Sequence, residues 1–388
     1  MRMIITYMKH FGQQLKTVAL ISVGVMMFSC NNDNNIYNSF DVILAAGGDC
    51  VNAVNMEKVK LDSIHCSGEG LSWINPKGYI YYYDTYFCWM YAFNIGGQFI
   101  ERKIGYGRGP NESIIRQGMI AAMSNDGAFA INGATYDFEY YSNKLELKKR
   151  FMLKQRRILA PKDYMTYTTS DFDICSRLYD GKLYMGMTSD NEEFSYFTTP
   201  SKYVADSYRI GVVDMKGGRA LPMEIKGYPS VYEKGSNKYV SFDGVDFDFD
   251  DDGNIYVGFQ ADSLIYVFDK AMKPKYAFGV SGKDMDLNYE NVTMDDLRAY
   301  GRNQTTKGYY SWVEYVDDAG VCFRSYKKGS HSEYDGLQIY DKKGVLLGDC
   351  EVPKNFKVTG YIEPYYYSQV YNNEEDGSLM IYKFKLRL

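Results

Sequence analysis

The chain has 388 residues, 45% of them hydrophobic and 24% charged, with a formal net charge of −5 and 39 tyrosines. That is enough apolar material for a large folded unit, and the composition is not that of a disordered chain. The mild acidity argues against nucleic acid as a partner. The seven cysteines include no C-x-x-C spacing, which argues against zinc ribbons and thioredoxin chemistry.

Residues 1–29 carry Arg2, Lys9 and Lys16 and no acid, and include the apolar run 17–28. That run is short for a bilayer span and fits the apolar core of an export signal. It ends in Met27-Phe-Ser-Cys30, a small residue followed by a cysteine. A plain cleaved signal with an incidental cysteine is the simpler alternative. Without residues 1–29 the chain keeps 41 basic against 49 acidic residues, a net charge near −8. Residues 30–39, which include Asn31-Asn-Asp-Asn-Asn35, read as a polar tether. No later apolar run is long enough to cross a membrane.

From residue 40 the chain reads as all-β. The stretch 245–279 is its clearest unit, four short strands with Asp251-Asp-Gly253 at the first turn. Leu264-Ile-Tyr-Val-Phe268 is apolar at every position, so both of its faces are expected to be covered. A four-stranded meander covered on both faces is a propeller blade. The same punctuation recurs with glycines at 78, 127, 181, 253, 320 and 377, each read as the first hairpin of a blade. Second hairpins follow at 89–105, 138–152, 208–226, 264–279 and 337–352, five rather than six. The prediction is therefore a six-bladed β-propeller of four-stranded antiparallel blades over residues 40–388. Residues 40–64 are expected to complete the last blade beside 361–388, removing two sheet edges. Two insertions stand out, 189–207 and 281–308. In the second, Thr293-Met-Asp-Asp296 suggests a capping box for a short helix with Met294, Leu297 and Tyr300 on one face, stopped by Gly301.

With these features in place, the chain resembles exported six-bladed TolB-like propeller lipoproteins, with NHL-type propellers a near pattern. The resemblance rests on the six units, on Met27-Phe-Ser-Cys30 as a lipobox, and on Ile104-Gly-Tyr-Gly-Arg-Gly-Pro110-Asn-Glu112 as a G-x-G-x-G-P-x-E crossover. It implies that Cys30 is the acylated N-terminus. It also implies a cell-envelope location, periplasm- or surface-facing, and binding rather than catalysis.

The candidate chemistry is sparse. Asp248-x-Asp250-x-Asp252-Gly253 matches the start of an EF-hand loop, but the twelfth position is Phe259 where a bidentate Glu belongs. An acid-rich β-turn accounts for these residues equally well. Gly105, Gly107 and Gly109 lack the following helix of a phosphate cradle and read as a tight crossover, with Arg108 capping carbonyls or exposed at the rim. Innermost strands line a propeller's channel, and by register they carry Trp73, Asp173, Arg177, Asp246, Trp312, Glu314 and Glu363. Asp173, Asp246, Glu314 and Glu363 come from four blades and form the candidate metal set of an alternative reading, a lactonase-like hydrolase using Ca²⁺ or another divalent ion. A wet channel lined by acids is the plainer account. His65 and His331 alone remain after the signal, and no G-x-S-x-G elbow occurs. Lys144–Arg157 reads as a charged, solvated edge. Cys322 and Cys350 fall on strands two apart in one blade, roughly 9–10 Å away and beyond disulfide reach. Cys50–Cys66 is the one pair left open. The leading expectation is a monomeric, lipid-anchored binding or scaffold module without a cofactor. Its partner would be a peptide, protein or glycan, held by Trp73, Arg177, Trp312 or Arg108 and by exposed aromatics near the 281–308 insertion.

Overall fold

The computed structural model describes residues 35–43, 55–116, 120–133, 136–153, 167–168, 175–189, 194–373 and 376–386. They form six blade sheets of antiparallel meanders around a ring, with a further two-stranded pairing of Tyr167–Thr168 and Thr188–Ser189. Blade 1 comprises Gly70–Asn75, Tyr79–Asp84, Trp89–Asn94 and Phe99–Ile104, and blade 2 comprises Ile120–Met123, Phe129–Asn132, Asp137–Tyr141 and Leu147–Met152. Blade 3 has Ser176–Tyr179, Lys182–Gly186 and Tyr208–Asp214, with Arg219–Ala220 and Glu224–Lys226 sharing the outer position. Blade 4 is Val245–Phe249, Ile255–Phe259, Ile265–Phe268 and Pro274–Phe278, and blade 5 is Tyr309–Val316, Val321–Lys327, Asp335–Asp341 and Leu346–Val352.

The unbroken apolar strand of blade 4 shows why the ring holds. Ile265 and Val267 pack toward blade 5 with Val313, Cys322 and Tyr340, while Tyr266 and Phe268 turn the other way, onto Tyr37 and Phe40. Each such fully buried side chain contributes about 1.5–3 kcal/mol, so neither face can be left to solvent. The turn before the second strand works as its residues suggest. Gly253 takes φ +83°, and Asp250 Oδ1 accepts from Asn254 N at 2.7 Å.

Blade 6 closes the ring with the N-terminal segment, but differently from the sequence count. Its strands are Val358–Ile362, Tyr365–Asn372, Leu379–Phe384 and then Glu57–Lys60, antiparallel to the third. Its first turn is at Glu363–Pro364, so the Gly377 turn joins the second and third strands. One N-terminal strand therefore completes the blade, not two. Asp41–Ile43 goes elsewhere, pairing in parallel with Tyr276–Phe278 as a fifth strand on blade 4. The supposed tether is also partly structured: Ile36–Ser39 is a 3₁₀ turn capped by the Asn35 side chain, and Tyr37 is 5% exposed. Two ring side chains that need burial override the polar composition around them.

The 281–308 helix runs over Arg298–Thr306, later than its capping signal, with Gly301 inside it facing open space. Thr293 spends its carbonyl and hydroxyl on Asp296 N, closing a local turn instead of starting a helix. The helix is placed from its other end, where buried Asn303 binds Glu290 N and O and the Ser241 hydroxyl. A third insertion, with helix Ser230–Gly235, lies between blades 3 and 4. Cys66, Cys88, Cys175, Cys322 and Cys350 carry free thiols, while Cys50 and Cys30 lie outside the described residues. No described helix is long and apolar enough to cross a membrane.

Candidate functional site

Among the described residues, Arg177 is the side chain that ties the inner strands together across the channel. Arg177, on the inner strand of blade 3, donates from Nε to Asp248 Oδ1 at 2.8 Å and from Nη2 to Glu314 Oε2 at 3.0 Å and Val313 O at 2.7 Å. Its guanidinium lies 4.1 Å from the centre of the Trp312 ring, whose Nε1 donates to Val358 O at 2.7 Å. Asp248 Oδ2 also accepts from Tyr315 N at 2.8 Å. One guanidinium therefore links blades 3, 4 and 5 directly and blade 6 through Trp312. The three charged side chains are 13–15% exposed. Burial pushes the Glu314 carboxyl well above the usual range, and the Asp248 carboxylate adds to this while Arg177 opposes it.

The remaining cavity, about 90 Å³, is lined by Trp73, Arg177, Asp248, Trp312 and Glu314. Sites for drug-sized ligands run from about 300 Å³ upward, so this space suits a few waters. The sequence reading thus brought Trp73, Arg177, Trp312 and Glu314 together correctly, but missed Asp248 as their partner. Asp246 is buried two residues earlier on the same strand. Glu363 is exposed at the first turn of blade 6, away from the wall, and Asp173 lies outside the described residues. Among the described residues no group of three or more His, Cys, Asp or Glu stands close enough to hold a metal ion. The EF-hand-like residues diverge. Asp248 enters the channel, Asp250 is tied to Asn254 and Tyr256, and Asp252 faces solvent.

The glycine-rich crossover is filled by the chain itself. Glu112 Oε2 accepts from Gly109 N at 2.6 Å, and a Cβ on Gly107 would sit 1.9 Å from that oxygen. The Glu112 carboxylate thus fills the space that the glycines leave beside the backbone. Arg108 is exposed beside it, close to Tyr106, Ile114 and Arg150 and not in the channel.

The exposed apolar surface is concentrated where the sequence did not place it. Of fifteen large hydrophobic side chains exposed among the described residues, seven lie between Tyr79 and Ile114, on blade 1 and its crossover. Trp312 and Trp73 open toward the first-turn ends of the inner strands. The 281–308 insertion enters blade 5 at the opposite end, so the predicted common patch does not exist. On blade 1 the rings run in series. Phe87 stacks on Trp89 at 4.8 Å, Tyr86 meets Phe87 edge-on at 5.0 Å, and Tyr91 meets both Trp89 and Phe99. Arg102 covers Trp89 at 4.2 Å, and Arg116 lies over Tyr86 at 4.8 Å and Tyr106 at 5.7 Å. Alternation of Phe87, Trp89 and Tyr91 was visible in the sequence. In the structure that face meets blade 6: Tyr91 is buried with Tyr367, Leu379 and Ile381, and Trp89 packs half-buried against them, while Tyr86 stays exposed at the end of the series.

No protein-family model matches the chain, and no curated protein does. Solved structures share its architecture, two of them as follows. A member of the DUF4221 family from Bacteroides vulgatus aligns with a TM-score of 0.63 at 11% identity, over 86% of this chain and 96% of that one. A protein described as exported, from Bacteroides fragilis, aligns with a TM-score of 0.52 at 16% identity, over 89% and 99%. At these identities the likeness establishes the fold.

Proposed function

We propose that this chain is a lipid-anchored cell-envelope propeller that works as a binding module, docking a partner protein or peptide on the aromatic–arginine strip of blade 1. The observation that carries this reading is the strip itself: exposed Tyr86, Phe99 and Tyr106 with Arg102 and Arg116, flanking half-buried Phe87 and Trp89 over the buried Tyr91, a composition like that of interface hot spots. A peptide or protein suits it better than a glycan. Sugars stack on open ring faces, but Trp89 is held between Phe87 and Arg102, and Tyr86 carries Arg116. What remains on offer is ring edges and guanidinium forks. The envelope location is supported by the signal and lipobox-like residues ending at Cys30, and by the description of one structural neighbour as exported. The hydrolase alternative has less support, because Arg177 is ion-paired with Glu314, one of the candidate carboxylates, and Glu363 is exposed at a turn.

The test is a photo-reactive residue placed at Tyr86 or Ile100, with Tyr334 on blade 5 as a control. In cells, adducts should form from positions 86 and 100, not from 334, and should be lost in Arg102→Ala/Arg116→Ala. Equal adducts from all three positions, or adducts insensitive to the two arginines, would defeat the reading.

A further inference from the structure

The N-terminal segment does more than close the ring. Before Glu57–Lys60 completes blade 6, residues 35–43 are bolted to the outer edge of blade 4. Tyr37 packs edge-on against Phe259 at 5.3 Å and Tyr266 at 4.9 Å, and its hydroxyl donates to Gly227 O at 3.1 Å. Phe40 meets Tyr266 at 5.1 Å and Phe268 at 4.9 Å. Asn35 Nδ2 donates to Tyr228 O at 3.0 Å and Glu233 Oε1 at 2.8 Å. Asp41–Ile43 then adds to the sheet. Closing the ring requires none of these contacts, since blade 4 already has four strands of its own.

Their consequence is geometric. Five residue steps separate Cys30 from Asn35, and an extended chain covers at most about 18 Å over that length. A lipid on Cys30 is therefore on a short leash whose far end is fixed at blade 4. We infer that the ring stands with the blade 4 edge against the membrane surface and blade 1 pointing away from it. In a ring of six, blades 1 and 4 are diametrically opposed, so the aromatic–arginine strip is carried at the pole farthest from the anchor. The docked segment also turns Ile36, 39% exposed, and Val42, 49% exposed, outward from this edge, while Tyr37 and Phe40 face in. Apolar side chains at that position suit the lipid interface. The inference rests on acylation of Cys30, part of the function proposed above, and is independent of what binds the strip.

The experiment uses the full-length lipidated protein in phosphatidylcholine vesicles. Cys50 and Cys66 are replaced by Ser, and a fluorophore is placed on Val42→Cys or Ile100→Cys. A spin-labelled lipid serves as quencher. The label at 42 should be quenched several-fold more than the label at 100, and Tyr37→Ala/Phe40→Ala should shrink that difference while the protein stays on the vesicles. Equal quenching at both positions, in protein whose N-terminal fragment has the mass of an acylated Cys30, would overturn the orientation and leave the anchor standing. A fragment without an acyl group would remove the anchor and the orientation together, and would leave binding at blade 1 to be judged by the adduct test.

Discussion

Replacing Arg177 with methionine removes the cation that pairs with Asp248 and Glu314 and keeps most of the side chain's volume. Asp248 and Glu314 are left facing each other at 13–15% exposure, and two carbonyls, Val313 O and Ser176 O, lose a donor. Breaking a buried pair by deleting one partner costs about 3–5 kcal/mol. Residual exposure, and the readiness of Glu314 to take a proton, put this case at the lower end, about 3 kcal/mol. Unfolding entropy near 2.1 cal/mol/K per residue gives about 0.65 kcal/mol/K for the 311 described residues, so the expected fall in Tm is about 5 °C. The deficit depends on pH in a fixed direction. Without Arg177 the Glu314 carboxyl, already raised by burial and by Asp248, loses the cation that opposes this, so its cost is largest at high pH and fades as pH falls and it binds a proton. Differential scanning fluorimetry at one scan rate should show the drop at pH 7.5 and a smaller one at pH 5. A shift below about 1 °C at pH 7.5 would refute the account, as would an equal shift at both pH values, because the ion-pair knot would then not be a net contributor to ring stability.

Asp317, at the first turn of blade 5, has its carboxyl pushed up to about 6, by burial first and then by Asp251, Asp250 and Asp248. A raised carboxyl stabilises the fold below its unfolded value and loses that contribution as pH rises through 6. Asp317→Asn keeps an acceptor for Asp251 N and should therefore raise Tm at pH 7.5 and not at pH 4, read in the same fluorimetric assay. Gly107→Ala puts a Cβ into the Glu112 carboxylate and should cost about 1–3 kcal/mol, measurable as a lower denaturation midpoint. Combining it with Glu112→Ala should recover part of that loss if the clash is the cause.

Much of the ring was legible because its signals are local. The DDG turn needs only Gly253 at positive φ and an aspartate to hold it, and the uninterrupted 264–268 strand needs only two covered faces. The last blade was counted wrongly because the Gly377 turn has the same local chemistry whether it joins first and second strands or second and third. Only the neighbours of Val358–Ile362 separate those cases. The helix near 300 was misplaced for a related reason: Thr293 and Asp296 satisfy each other as a turn, and the helix position is dictated by Asn303 reaching Ser241, a contact 62 residues distant. In the channel, Trp73, Arg177, Trp312 and Glu314 followed from strand order. The role of Asp248 did not, because its neighbours Asp250 and Asp252 give it the look of a calcium loop.

What this chain encodes by itself is therefore periodic and short-range: strand alternation, turn glycines and the tally of blades. Whether a ring face is buried or left to water, which carboxylate meets Arg177, and whether Tyr37 and Phe40 hang free or dock on blade 4 were decided by the assembled ring. The division has a physical cause. Backbone conformation responds to the few residues on either side, whereas burial and charge pairing depend on groups that come from distant parts of the chain and meet only once the ring has closed.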